Sequence, residues 1–273
     1  MMYFPSFVYL YNGGRTESLR LEEVSGYLKN IFRNSDIQIR DDFVGHYLSG
    51  LSPEEKEKAM DSLAREIAGI KVRNTVNKDI IFEPLPGEIE YEKQRISDPQ
   101  KKSFGILYDG FKLMALFSKL IPEEESDFNH CHIIFTNQLF GTWDGGDLRY
   151  HARVSVYGFP SVISTTGIVE APAKPRKFYM KRRMGFNITT LKEEISGRFI
   201  DYDDPRMTEV MKGYALQAIF FQGVGEPFCD DKTCRLYNAH WQEELLQAQL
   251  SSSERDHIGL CPEHQKIITQ SLS

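Results

Sequence analysis

Apolar positions change period along the chain, and the changes mark its elements. Residues 4–12, FPSFVYLYN, form a nearly continuous apolar and aromatic run that stops at Gly13-Gly14, as a buried strand would. In LRLEEVSGYLKNIF, Leu21, Val24, Leu28 and Phe32 recur at helical spacing, and DIQIRD then alternates as a strand does. Ser52-Pro53-Glu54-Glu55 predicts a helix start, with Ser as cap, Pro in the first turn and acids at the positive end of the dipole. This helix runs through MDSLAREIAGI. Residues 75–103 are polar and interrupted by Pro84 and Pro86, which predicts a surface loop or irregular arm. A second helix is expected over FGILYDGFKLMALFSKLI, ending near Pro122.

From CHIIFTNQL onward the texture is different. HIIFT, RVSVYGF and SVISTTGIVE are short β-branched runs between Gly, Asp and Pro turns, and they predict neighbouring strands. GTWDGGD at 141–147 reads as a turn between strands, since it lacks the Lys and following helix of a phosphate-binding loop. APAKPRKFYMKRRMG intervenes before a long helix, PRMTEVMKGYALQAIFFQGV, with Val210, Met211, Tyr214, Ala218 and Phe221 on one broad face. WQEELLQAQL is a shorter helix. The expected class is α+β, a single domain over 1–273. It divides into a strand–helix part (1–104), a sheet with a central helix (105–228) and a metal-bound C-terminal part (229–268).

Composition narrows the partners. With 41% hydrophobic and 26% charged residues and a net charge of −6, the 273-residue chain reads as globular, and nucleic acid is a poor general partner. No apolar run reaches the length of a membrane span, so no membrane partner is expected. The apolar start lacks a basic region and a cleavage site, which argues against a signal peptide. The four cysteines, Cys131, Cys229, Cys234 and Cys261, are clustered instead of spread in a disulfide framework, and a reducing cytoplasm is expected.

Cys229 and Cys234 form C-x4-C, and Cys261 and His264 form a later C-x2-H. Two close pairs joined by a loop suit a tetrahedral zinc with no open position, a structural site. The cysteines are also compatible with free core thiols, and His240 or His257 could stand in for His264.

The residues before this cluster carry a resemblance. Residues 218–236 resemble the archaemetzincins, zinc peptidases with an H-E-x-x-H-x-x-G-x-x-H motif followed by Cys, C-x4-C and a Met-turn. Gly225 falls on the helix-breaking Gly, Cys229 and Cys234 on the paired cysteines, and Leu236 on the Met of the turn. Cys261 and His264 fall on a late cysteine pair. The resemblance implies a zincin scaffold with one structural Zn2+. It also implies a degenerate site, because Ala218, Ile219, Gln222 and Phe228 stand where three zinc histidines and the general-base Glu belong. A pseudopeptidase that holds a peptide or protein partner is therefore expected.

Two alternatives stay open. His130, His132 and His151 could hold a metal for hydrolysis, although alternation on a strand would set Cys131 on the opposite face from His130 and His132. Lys174, Arg176, Lys177, Lys181, Arg182 and Arg183, with Phe178 and Tyr179 interleaved, could bind nucleic acid or an acidic partner. As a plain alternative, these cations form a solvated loop. Asp201-Tyr-Asp-Asp204 reads as an acidic helix start.

Overall fold

The computed structural model describes residues 4–13, 16–80, 82–99, 101, 105–250 and 258–271. The chain opens with β1 (Phe7–Gly13), α1 (Leu21–Ile31), β2 (Asp36–Arg40), α2 (Phe43–Ser49), α3 (Pro53–Gly69) and α4 (Pro86–Ser97). Then come β3 (Leu107–Asp109), α5 (Gly110–Ser118), a 3-10 turn at Glu123–Glu125, β4 (His130–Thr136), β5 (Leu139–Asp144) and β6 (Arg149–Arg153). The final part holds β7 (Ser155–Val156), β8 (Ser161–Ser164), α6 (Thr165–Glu170), α7 (Arg176–Arg183), α8 (Ile188–Glu194), α9 (Met207–Val224), α10 (Gln242–Leu250) and α11 (Pro262–Ser271).

The main sheet has the order β2-β1-β4-β8-β7. Its first four strands are parallel and β7 is antiparallel to β8, so the sheet ends in one reversed edge strand. Side chains alternate across it with period two. Val8, Leu10, Cys131, Ile133, Phe135 and Ile163 enter one core with α1, α9 and the C-terminal residues Cys234, Leu236 and Cys261. Tyr9, Tyr11, Ile134, Val156 and Val162 enter the other, with side chains of α2, α3, α5 and the small β3-β5-β6 sheet. The α/β mixture expected from the pattern is therefore found, with helices on both faces.

Local chemistry explains the ends of elements. The hydroxyl of Ser52 accepts from Glu55 N, while the Glu55 carboxylate accepts from Ser52 N at 3.0 Å, a capping box that opens α3. At the far end of α9, Gly225 has φ +82°, a left-handed cap that only Gly adopts cheaply. Its N–H donates to Phe221 O at 2.9 Å.

Four expectations are corrected. The arm at 75–103 contains α4: Pro86 sits at its start, where its missing N–H costs nothing, and Glu88 accepts from Leu85 N. One face of α4 buries Glu92 and Arg95, which an apolar pattern cannot reveal. Lys71 and the Tyr108 hydroxyl satisfy Glu92 (2.7 and 2.8 Å), and Arg95 donates to Tyr108 and Asn137. Residues 105–121 split into β3 and α5, because Asp109 caps a new helix by accepting from Phe111 N and Lys112 N. TTGIVE leaves the sheet as α6, turned by Ser164, whose hydroxyl accepts from Gly167 N at 2.8 Å. The basic segment is α7, a helix and not a loop.

Candidate functional site

An open cleft of about 540 Å3 lies between the edge strand β7 and α9. Arg153, Ser155 and Tyr157 border it on the strand side, Tyr214, Gln217 and Phe221 project from α9, and Pro227, Phe228, Tyr237 and His240 close its end. Val154 O accepts from Ser164 N at 2.7 Å, toward the sheet. Strand alternation then turns the N–H and C=O of Ser155 to the open side. The cleft thus pairs an unfilled strand edge with a wall of aromatic rings.

The cleft-facing positions of α9 are 214, 217 and 221, which share one face at spacings of three and four. Ala218 and Ile219, assigned by resemblance to ligand and base positions, are wholly buried in the core. Gln222 points toward the start of β4, where its Nε2 donates to Phe128 O and His130 O, each at 2.9 Å. Of the four supposed ligand and base positions, only Phe228 lines the cleft, with 36% exposure. Gln217 and Phe221 are the i, i+4 pair of α9 that faces the opening. Gln217 is engaged: its Oε1 accepts from the Tyr157 hydroxyl, and its Nε2 lies 3.4 Å from Arg235 O and Tyr237 O.

Beyond Gly225 the chain folds into a knuckle. Cys229 N donates to Leu236 O, Cys234 N to Asp231 O and Tyr237 N to Cys234 O, each at 2.9 Å. The knuckle is anchored by Arg235, almost fully buried, which pairs with Glu209 of α9 and covers the Tyr27 ring at 4.9 Å. Leu236 is itself fully buried beside it. The sulfurs of Cys229, Cys234 and Cys261 and a ring nitrogen of His264 all lie within 4.8 Å of one another, a set that could hold a metal ion. Cys229 and Cys261 sulfurs are 3.9 Å apart, and His264 Nδ1 is 3.0 Å from Cys261 Sγ. Bonds of about 2.3 Å from zinc to sulfur place two sulfurs of a tetrahedron about 3.8 Å apart, so the donors fit. Asp231 N lies 3.3 Å from Cys229 Sγ, and the N–H groups of Leu236 and Cys261 aim at Cys234 Sγ. Such donors stabilise thiolates. Burial pushes the Cys234 and Cys229 thiols up and the His264 imidazole down.

Residues 5–271 match the profile of the Probable metallopeptidase family (DUF6775). The chain belongs to this family. No curated protein and no solved structure matches it. A peptidase of this kind works through a metal, and α9 turns no His, Cys, Asp or Glu to the cleft, whereas Glu226 and His240 border it beyond the helix. Phe221 and Phe228 have no donor atom, and Gln217 spends its amide on neighbours. The knuckle does fit a metal, but with four protein ligands it leaves no position for substrate.

The remaining candidates of this metallopeptidase-family chain lie apart. Cys131 is in one core, while His130 and His132 face the other side of β4. His132 Nε2 donates to Glu125 O at 3.0 Å, which leaves Nδ1 to accept from the Tyr11 hydroxyl at 3.0 Å. Arg40 donates to that hydroxyl and clamps Glu125 through two bonds of 2.6 and 2.7 Å. Burial pushes the His132 imidazole down to about 4. His130 bonds Asp127 at 2.7 Å. His151 bonds Asp147 at 2.8 Å in the β5–β6 turn, grouped with Asp144 and not with the other two histidines. Among the basic residues, Lys174 is buried and donates to Val169 O, Lys181 pairs with Glu194, and Arg176 lies over Trp241. His240 lines the cleft instead of joining the cysteines, and His257 lies outside the described residues. The cleft residues missed from sequence were Tyr157, Gln217 and His240. The three-and-four spacing of Tyr214, Gln217 and Phe221 could have signalled Gln217, and no pattern marks Tyr157 or His240.

Proposed function

We propose that this chain is an archaemetzincin-like pseudopeptidase that binds an extended peptide in its cleft and holds one structural zinc in its C-terminal knuckle. The observation that carries the reading is the face of α9: Tyr214, Gln217 and Phe221 meet the cleft where a peptidase needs metal donors. Peptide binding needs no metal, because an added strand takes its affinity from backbone hydrogen bonds at the β7 edge and its selectivity from side-chain pockets. The surrounding rings of Tyr157, Phe221, Phe228 and Tyr237 favour aromatic or aliphatic peptide side chains. The left-handed Gly225, the C-x4-C pair after it and the later Cys261 and His264 support the archaemetzincin relationship. Four free thiols suit a reducing cytoplasm, the compartment included in this reading.

Capture of a peptide library on the purified protein is the test, with denatured protein as control. Enrichment of apolar sequences that Ser155→Pro abolishes is expected, because Pro deletes one edge N–H. Cleavage of casein that a chelator stops would overturn the pseudopeptidase reading.

A further inference from the structure

Residues 174–188 hold six positive charges, from Lys174 to Arg183, and no acidic residue, in a chain of net charge −6. The segment forms α7 and the turn into α8. This hairpin has its own small core of Phe178, Leu191, Ile195 and Phe199. Its tip lies outside that core and is apolar. Tyr179, Met180, Met184, Phe186 and Ile188 are all exposed, at 39, 64, 72, 47 and 46%. Five of the fourteen exposed large hydrophobic residues of the described chain therefore fall within ten positions. Three cations in the last turn of α7 suit the helix dipole, and Lys181 also pairs with Glu194. That accounts for charge at the helix end. It gives no reason for the two methionines in solvent beside it, while Phe186 lies beneath Lys181 Nζ at 5.8 Å.

We propose that this tip is a docking surface for an anionic lipid bilayer. Charge complementarity selects an anionic partner, since Lys177, Arg182 and Arg183 are exposed around the tip. The apolar side chains select one with an apolar layer beneath its charge, where Met180, Met184 and Phe186 can leave water. Shape agrees with this, because a helical hairpin tip is convex and enters an interface, whereas a bound peptide helix would need a groove. A polyanion such as nucleic acid would use the cations and leave the methionines wet. No helix of the described chain is long and apolar enough to cross a membrane, and a peripheral contact requires none. The expectation of no membrane partner rested on spanning segments alone.

Sedimentation with vesicles tests it, using phosphatidylcholine alone or mixed with about one-third phosphatidylserine, at low and high salt. Binding is expected only with the anionic vesicles and weakens with salt. Lys177→Gln/Arg182→Gln/Arg183→Gln should lower it on the order of 100-fold, at about fivefold per cation. Met180→Ser/Met184→Ser/Phe186→Ser should lower it at least about tenfold, with circular dichroism showing that the variant is folded at the assay temperature. Absence of binding to anionic vesicles at low salt would overturn the proposal. So would binding that the serine variant leaves intact, or equal retention of wild type and serine variant on a single-stranded RNA, which would mark a polyanion site.

Discussion

The orientation of α9 decides which of its side chains meet the cleft, and Ala218→His compared with Phe221→His reports that orientation. Ala218 is wholly buried in the core against the sheet. An imidazole there adds several heavy atoms to a packed site, which costs about 1–3 kcal/mol. It also buries ring nitrogens without partners, for about 1–3 kcal/mol more. The expected loss is about 4 kcal/mol, or a fall in melting temperature of roughly 8–16 °C for a domain of this size. Phe221 faces the opening and is half-buried, so His there gives up part of one ring's burial and keeps its polar atoms in water. Its cost is about 1 kcal/mol. Urea unfolding followed by circular dichroism measures both. If Ala218→His stayed within about 1 kcal/mol of wild type while Phe221→His cost more, the helix would be rotated the other way. Position 218 would then face the cleft, and the site would have to be rebuilt around Ala218 and Gln222.

Further expectations concern the knuckle, the sheet and the helix end. Elemental analysis should find one zinc per chain, lost in Cys234→Ala together with a large fall in melting temperature, because Cys234 and Leu236 both belong to the core. His132 is held at about 4, below its ordinary 6.5. Between those values the unfolded chain takes up a proton that the folded one excludes. The stabilisation is complete above pH 6.5 and falls by up to about 3 kcal/mol as pH drops towards 4. Urea midpoints across that range should show His132→Gln lacking one proton's worth of the slope. Glu125→Gln breaks the clamp on half-buried Arg40 and should cost about 2–4 kcal/mol by the same assay. Gly225→Ala meets no atom within 4 Å, so its cost is that of the left-handed backbone alone, about 1 kcal/mol, with Gly225→Asn recovering part of it.

What was legible in the sequence follows from which forces leave a pattern. The strands β1, β2, β4 and β8 and the helices α1, α3, α9 and α10 announce themselves through apolar periodicity, because each buries a face. The knuckle announces itself through spacing, because its four donors come as two pairs that are each close along the chain. α4 stayed hidden, since the face it buries presents Glu92 and Arg95, whose partners Lys71, Tyr108 and Asn137 are distant in sequence. α6 stayed hidden because SVISTTGIVE is β-branched throughout. The bond between Ser164 and Gly167, with those from Thr165 and Thr166 to Thr136 O and Asn137 O, turns it out of the sheet. In α9 the periodicity failed for the opposite reason. Its buried set includes nearly every residue from Val210 to Phe220, so no narrow stripe remains to fix its rotation. Burial and the cleft lining, not motif spacing, then tell which side chains α9 turns to the opening.

That same continuous burial holds α9 in place independently of any metal in the cleft. A catalytic metal would contribute to stability by tying α9 to the chain beyond Gly225. Here other contacts do that work. Arg235 pairs with Glu209 near the start of α9, Gln249 donates to Arg235 O at 2.9 Å from α10, and Phe220 packs its ring against His264 at 5.5 Å. The knuckle ligands thus reach the back of α9, while the cleft lies on its front. A metal held behind the helix would fix the position of Tyr237 and His240 at the end of the cleft, through the loop they share with Cys234. Removal of zinc should therefore weaken peptide capture, although no ligand of that zinc touches the peptide. Capture measured before and after chelation, at a temperature where the protein stays folded, would separate this coupling from simple unfolding. Equal capture in both states would mean that the β7 edge alone determines binding.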